Sequence, residues 1–132
     1  MEQNIEQDSK KYITFKYPVK VEYGLGAGNC TEIVMACVVY GKAHFSDKGK
    51  KVIFRNPKRH PDRRVSGRSI LDLLTLEACK GDILEIMIEG TDEAAKELRE
   101  DIKRGLSNEG YLYNKYHKEF REIEEKESHL FF

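Results

Sequence analysis

Ser69-Ile70-Leu71-Asp72-Leu73-Leu74-Thr75-Leu76, followed by Lys80-Gly81-Asp82-Ile83-Leu84-Glu85-Ile86-Met87-Ile88-Glu89-Gly90-Thr91-Asp92-Glu93-Ala94, changes period twice within one short stretch. Ser69 and Asp72 match a capping box, a hydroxyl and a carboxylate three residues apart that can serve the free amides of a first turn. Ile70, Leu71, Leu73, Leu74 and Leu76 then make a short apolar helix, stopped by Gly81. Leu84, Ile86 and Ile88 alternate as one face of a strand, closed by Gly90. Thr91-Asp92-Glu93 starts another helix with acidic groups where the dipole favours them, and Ala95, Leu98, Ile102 and Leu106 follow at helical spacing.

Upstream, Tyr17 to Tyr23 sets Val19 and Val21 against Lys20 and Glu22 and reads as a strand. Cys30, Ile33, Val34, Cys37, Val38, Gly41 and Phe45 recur as the buried face of a helix over about 29–44. Lys50 to Phe54 and Val65 to Gly67 read as two further short strands, separated by a loop whose Pro57 and Pro61 exclude a central strand. The order strand, helix, strand, strand, short helix, strand, helix describes an α+β fold, an open-faced sandwich with one four-stranded antiparallel sheet and helices on one face. Residues 1–16 read as an N-terminal extension, 17–110 as the domain, with a basic loop insert at 56–64, and 111–132 as a tail. In that tail Tyr113, Tyr116, Phe120 and Ile123 mark an amphipathic helix ending in Leu130-Phe131-Phe132. Packing on its own domain is the plain reading of the tail, and a homodimer or partner contact is the sharper one.

The chain of 132 residues suits one domain. Lys plus Arg and Asp plus Glu number 23 each, so no global charge draws it to nucleic acid or a membrane. Its longest apolar run, Ile33 to Tyr40, is far short of the ~20 residues a membrane span needs. Cys30, Cys37 and Cys79 form no C-x-x-C pair, and with four histidines they show no zinc spacing. The first eleven residues are mostly polar or charged and contain no secretory pattern. A cytoplasmic protein without metal or cofactor is expected.

Between the first strand and first helix lies Gly24-Leu25-Gly26-Ala27-Gly28-Asn29-Cys30-Thr31. Glycine-exposed amides at a helix N-terminus favour an anion, so a phosphorylated small molecule is one candidate ligand. The dinucleotide fingerprint fails, because its third glycine would fall at Asn29. Cys30, in the first turn, is a candidate for a dipole-lowered thiol pKa, against the commoner structural role. Lys58, Arg59, Arg63, Arg64 and Arg68 form a basic patch that could meet nucleic acid; a solvated loop balanced by the acidic tail Glu119 to Glu127 is the plain alternative.

From Val65 to Leu106 the sequence resembles the second half of HPr, the histidine-containing phosphocarrier of the sugar phosphotransferase system. Gly24-Leu25, Ala27 and Thr31 match its Gly-Ile-His-Ala-Arg-Pro-Ala-Thr loop in register. The resemblance implies the HPr open-faced sandwich in a bacterial cytoplasmic protein, with protein partners docking on the loop and on the short helix of Ile70, Leu71 and Leu74. It also implies a histidine that accepts phosphate from enzyme I and an arginine two residues on. Those positions hold Gly26 and Gly28, and Asn29 replaces the following proline. The expectation is a non-catalytic regulatory or protein-binding module without phosphohistidine chemistry. Ser69 matches the serine that a dedicated kinase modifies in HPr of many Gram-positive bacteria; Arg68 would favour a phosphate there and Asp72 would repel it.

Overall fold

The computed structural model describes residues 3–7, 10–45, 48–108 and 110–128. Two strands open the chain, β1 (Gln3–Gln7) and β2 (Lys10–Pro18), paired antiparallel with Ile5 opposite Tyr12. Residues 3–7 and 10–16 are therefore part of the sheet and not an extension before it, and the strand expected at Tyr17 to Tyr23 lies one element earlier. The run Tyr12-Ile13-Thr14-Phe15-Lys16-Tyr17 carries the aromatic and β-branched residues of a ladder strand, and Pro18 ends it. Val19 and Val21 are buried as their alternation implied. Their amides, however, bond to the carbonyls of Asp82 and Leu106, outside any ladder.

Helix α1 (Ala27–Gly41) comes next, then β3 (Val52–Arg55), β4 (Arg64–Ser66), α2 (Ile70–Leu74), β5 (Ile83–Glu89), α3 (Glu93–Gly105) and α4 (Tyr113–Ser128). The sheet order is β1-β2-β5-β3-β4, antiparallel throughout. The expected four-stranded sheet is present as β2-β5-β3-β4, and β1 adds a fifth strand at the edge. Registers align the inward side chains in rows: Phe15, Ile86, Phe54 and Val65 in one, Ile13, Ile88 and Val52 in the next. All seven are buried in one apolar core with the inner residues of α1 and α3.

Helix α1 stops three residues before the expected end. Lys42 takes a left-handed φ of 58° and donates its N–H to Val38 O, a C-terminal cap that turns the chain away. Phe45, expected on the buried helix face, lies past that cap and is 58% exposed.

Residues 29, 30 and 32–38 of α1 are all buried, because the sheet side is not its only cover. Helix α4 packs on it. Leu112, Tyr116 and Phe120 are buried, and Leu112 fits over Gly105, where a Cβ would come within 2.8 Å of its Cδ1. The carboxylate of Glu32 accepts the amides of Gly110 (2.9 Å) and Tyr113 (3.1 Å) at the start of α4. At the other end, Glu127 accepts the amides of His44 (2.9 Å) and Phe45 (2.7 Å). The two helices thus run in the same direction, each supplying a carboxylate to free backbone amides of the other's flank. Tyr116 donates to Asp101, which also receives Lys115 Nζ at 2.7 Å. The tail helix lays its apolar face on its own chain, as the plain reading expects. Leu130-Phe131-Phe132 lie outside the described residues.

Candidate functional site

The glycine loop is fixed by the segment just after α2. Leu25 donates to Ala78 O at 2.9 Å, Gly24 donates to Val21 O at 3.1 Å, and Gly24 holds φ +78°. A Cβ on Gly24 would lie 2.5 Å from Ala78 O, so both the angle and the space demand glycine. Gly24→Ala is accordingly expected to destabilise the fold by about 2–3 kcal/mol in urea titration.

Gly26 is a different case. It is the N-cap of α1 with φ −92° and ψ −175°, it offers no side-chain cap, and a Cβ there would meet nothing within 4 Å. Gly26→Ser is expected to gain a cap bond and raise stability by a few tenths to about 1 kcal/mol. The paired outcome separates a glycine required by backbone from one that only leaves room.

In front of this helix end is a cavity of about 520 Å³, lined by Lys20, Tyr23, Gly26, Asn29, Ser107 and Asn108 among others. No acidic side chain occupies the first turn of α1. Asn29 is 4% exposed and its Nδ2 has no hydrogen-bond partner. Thr31 turns its hydroxyl back to Ala27 O at 2.7 Å. Cys30 is buried, and burial pushes its thiol up to about 11 against any dipole effect, so it is a core residue and not a nucleophile.

Helix α2 is the loop's neighbour. Ser69 is its N-cap and accepts the Asp72 amide at 3.2 Å, the first half of the capping box. The reciprocal half is missing, since the Ser69 amide bonds to Ser66 O. Leu71 is 75% exposed, Ile70 and Leu74 are partly buried, and Tyr23 beside the loop is 98% exposed.

The basic patch is not one surface. Arg59 pairs with Asp82 (Nε 2.5 Å), Lys58 reaches the same carboxylate at 3.6 Å, Arg63 donates to Thr75 O and Arg64 to Met87 Sδ. Arg68 donates to Ala43 O and Lys48 O, tying down the segment after α1. The acidic tail does not balance this loop, because α4 lies on α1.

The residue that Arg59 and Lys58 share, Asp82, has no motif to mark it in the sequence. It is 1% exposed and also accepts Asn56 Nδ2 (3.1 Å) and the Cys79 amide (3.0 Å). Arg59 first, then those two donors, hold its carboxyl well below the usual carboxylate range against desolvation. The only sequence signal is its place after Gly81, whose φ of +93° makes the turn into β5.

The sequence model of a family described as the PTS HPr component phosphorylation site matches residues 13–104, the span that holds the glycine loop, α2 and the sheet beneath them. The chain belongs to the PTS HPr family. Two relatives, the phosphocarrier proteins HPr of Neisseria meningitidis serogroups A and B, are each 42% identical over 50 residues, 37% of this chain and 56% of their own length. The chain thus spans about half the length of the curated relatives it matches. A solved structure, HPr-C-His from Thermoanaerobacter tengcongensis, aligns with a TM-score of 0.54 at 19% identity, covering 73% of this chain and 97% of that one. That likeness shows the fold. The family match includes Gly24–Thr31 and leaves out β1 and α4. Among the described residues, no helix is long and apolar enough to cross a membrane, and no cluster of His, Cys, Asp or Glu could hold a metal ion.

Proposed function

We propose that this HPr-family chain is a regulatory, protein-binding module that does not relay phosphate through histidine. The observation that carries the reading is Gly26 at the N-cap of α1, with no group beyond its backbone to take a phosphoryl group. No histidine lines the adjoining cavity. His44 lies past the far end of α1, His60 in the loop between β3 and β4, and His117 on α4. A partner would meet the glycine loop, the exposed Tyr23 and the Leu71 face of α2. In this reading the protein is not an enzyme, and cytoplasmic partners are expected.

The test is incubation with enzyme I and phosphoenolpyruvate, read by intact mass. The natural chain is expected to gain no acid-labile phosphate. Gly26→His, alone or with Gly28→Arg, is expected to gain it, because the space at position 26 is open and its backbone suits any residue. Acid-labile phosphate on the natural chain would overturn the reading. Regulation at Ser69 belongs to the same proposal. Modification there would require the hydroxyl to give up the Asp72 amide, with Arg68 engaged elsewhere, and phosphate mapped to Ser69 after a serine kinase and ATP would establish it.

A second reading has one observation in its favour. The buried, unpartnered Asn29 amide beside the free first-turn amides of α1 suits an anion such as a phosphorylated small molecule. Inorganic phosphate shifting the Gly26 to Thr31 amide resonances would favour it, and unchanged spectra at millimolar phosphate would remove it. Nucleic-acid binding through the 56–64 insert has no such support, since its cations are engaged within the fold.

A further inference from the structure

A cavity of about 600 Å³ lies at the other end of α1 from the glycine loop. Its floor is α1's last turn, and α3 and α4 form the two walls. It exists because α4 is present, and α4 falls outside the family match. No part of the proposed docking face contributes to it.

The corner beneath it is tightly built. A Cβ on Gly41 would lie 2.7 Å from Lys50 O, and Cβ atoms on Gly49 and Gly90 would run into Gly41 O and the Tyr40 hydroxyl. These close approaches hold the Lys50 ammonium 5.3 Å from the centre of the Tyr40 ring and 3.5 Å from Asp92. The Tyr40 hydroxyl is occupied by Glu89 O, so the ring is the part left to face the cavity. On the α4 wall, Lys115 is held by Asp101 at 2.7 Å and Glu97 at 3.4 Å.

Those pairs leave two charges over. Lys42, whose backbone is fixed as the cap of α1, and Glu119 on α4 both line the cavity and have no ionic or hydrogen-bonding partner among the described residues. Val39, Tyr40 and Leu98 line the same cavity. The lining balances three cations, Lys42, Lys50 and Lys115, with three anions, Asp92, Glu97 and Glu119. A purely anionic or cationic ligand would leave one free charge unanswered, whereas a zwitterion answers both. The volume falls in the range of small-molecule sites.

From this arrangement we infer that the cleft between α3 and α4 binds a small zwitterion with an ammonium and a carboxylate on an apolar frame, the chemistry of an apolar amino acid. The carboxylate meets Lys42, the ammonium meets Glu119, and the apolar part lies on Val39, Leu98 and Tyr40. Because Glu119 is on α4, a bound ligand bridges that helix to the end of α1.

The experiment titrates the full chain with L-leucine and L-phenylalanine, monitored by backbone amide resonances of residues 39–42, 49–50 and 115–119. Leucinamide, which lacks the carboxylate, and N-acetylleucine, which lacks the ammonium, are the controls. Saturable shifts with at least one amino acid are expected, weakened at least about tenfold for both controls. Lys42→Met and Glu119→Gln are expected to weaken binding by a similar factor. Both side chains are exposed, so the variants should keep the parent's spectrum and melting temperature. No saturable shift at millimolar concentrations of either amino acid, equal response to the singly charged controls, or unchanged binding in both variants would overturn the proposal.

Discussion

A chain ending after Asn108 is expected to lose its cooperative thermal transition, although it keeps every residue of the family match. Removing α4 takes away Leu112, Tyr116 and Phe120, each buried to within a tenth of full cover. At about 1.5–3 kcal/mol for each such side chain, the loss is of the order of a whole domain's stability of about 5–15 kcal/mol. It also bares the outer side of α1, whose sequence is apolar nearly all round, and strips Glu32 of its bonds to Gly110 and Tyr113. Glu32 is 6% exposed with those partners in place. The shortened chain should show a broad, non-cooperative melt by circular dichroism and bind a hydrophobic dye. A sharp transition within a few degrees of the full chain would mean that α4 is an appendage.

That dependence is only partly legible in the sequence. Local signals serve well where they act locally: the Ser69 and Asp92 caps, the strand alternation of Leu84, Ile86 and Ile88, and the α4 spacing of Tyr116 and Phe120 all have their structural counterparts. Val19 and Val21 mark the limit of period-two reasoning, since burial alternates there without a ladder. Glu32 looks like a solvated helix residue because its partners are backbone amides far along the chain, and amides carry no sequence signature. The same is true of Glu127. Asp82 and Arg59 are both ordinary surface types, and only the fold sets them against each other.

The candidate site divides along the same line. Gly24 and Gly26 read alike in the sequence, yet one is compelled by a left-handed backbone against Ala78 and the other faces open space. Of the two, only Gly26 leaves room for a side chain, which is why the proposed loss of phosphate relay is tested there. Basic residues counted together as a patch turn out to serve different carbonyls and carboxylates, which composition cannot reveal.

Asp82→Ala is expected to cost about 3–5 kcal/mol, the range for breaking a buried ionic network from one side. The carboxylate joins the loop between β3 and β4, through Asn56 and Arg59, to the turn before β5, through the Cys79 amide. Asn56 is wholly buried and its Oδ1 already lacks a partner, so losing Asp82 leaves its amide group with Leu76 O alone. Arg59, about a third exposed, can turn to water, which keeps the cost near the lower end. The sign of the pH dependence comes from the depressed carboxyl. Its contribution is complete above the ordinary aspartate value of about 3.9 and is lost as pH falls from there toward Asp82's own lower value. In urea titrations the gap between the natural chain and Asp82→Ala should therefore be constant from pH 7 to about 5 and shrink steadily below about 4. A gap that persists unchanged into acid would assign Asp82's role to packing and leave its charge without consequence. Asp82→Asn distinguishes the two further: it preserves the shape, and it should recover part of the stability while showing none of that carboxylate's acid dependence.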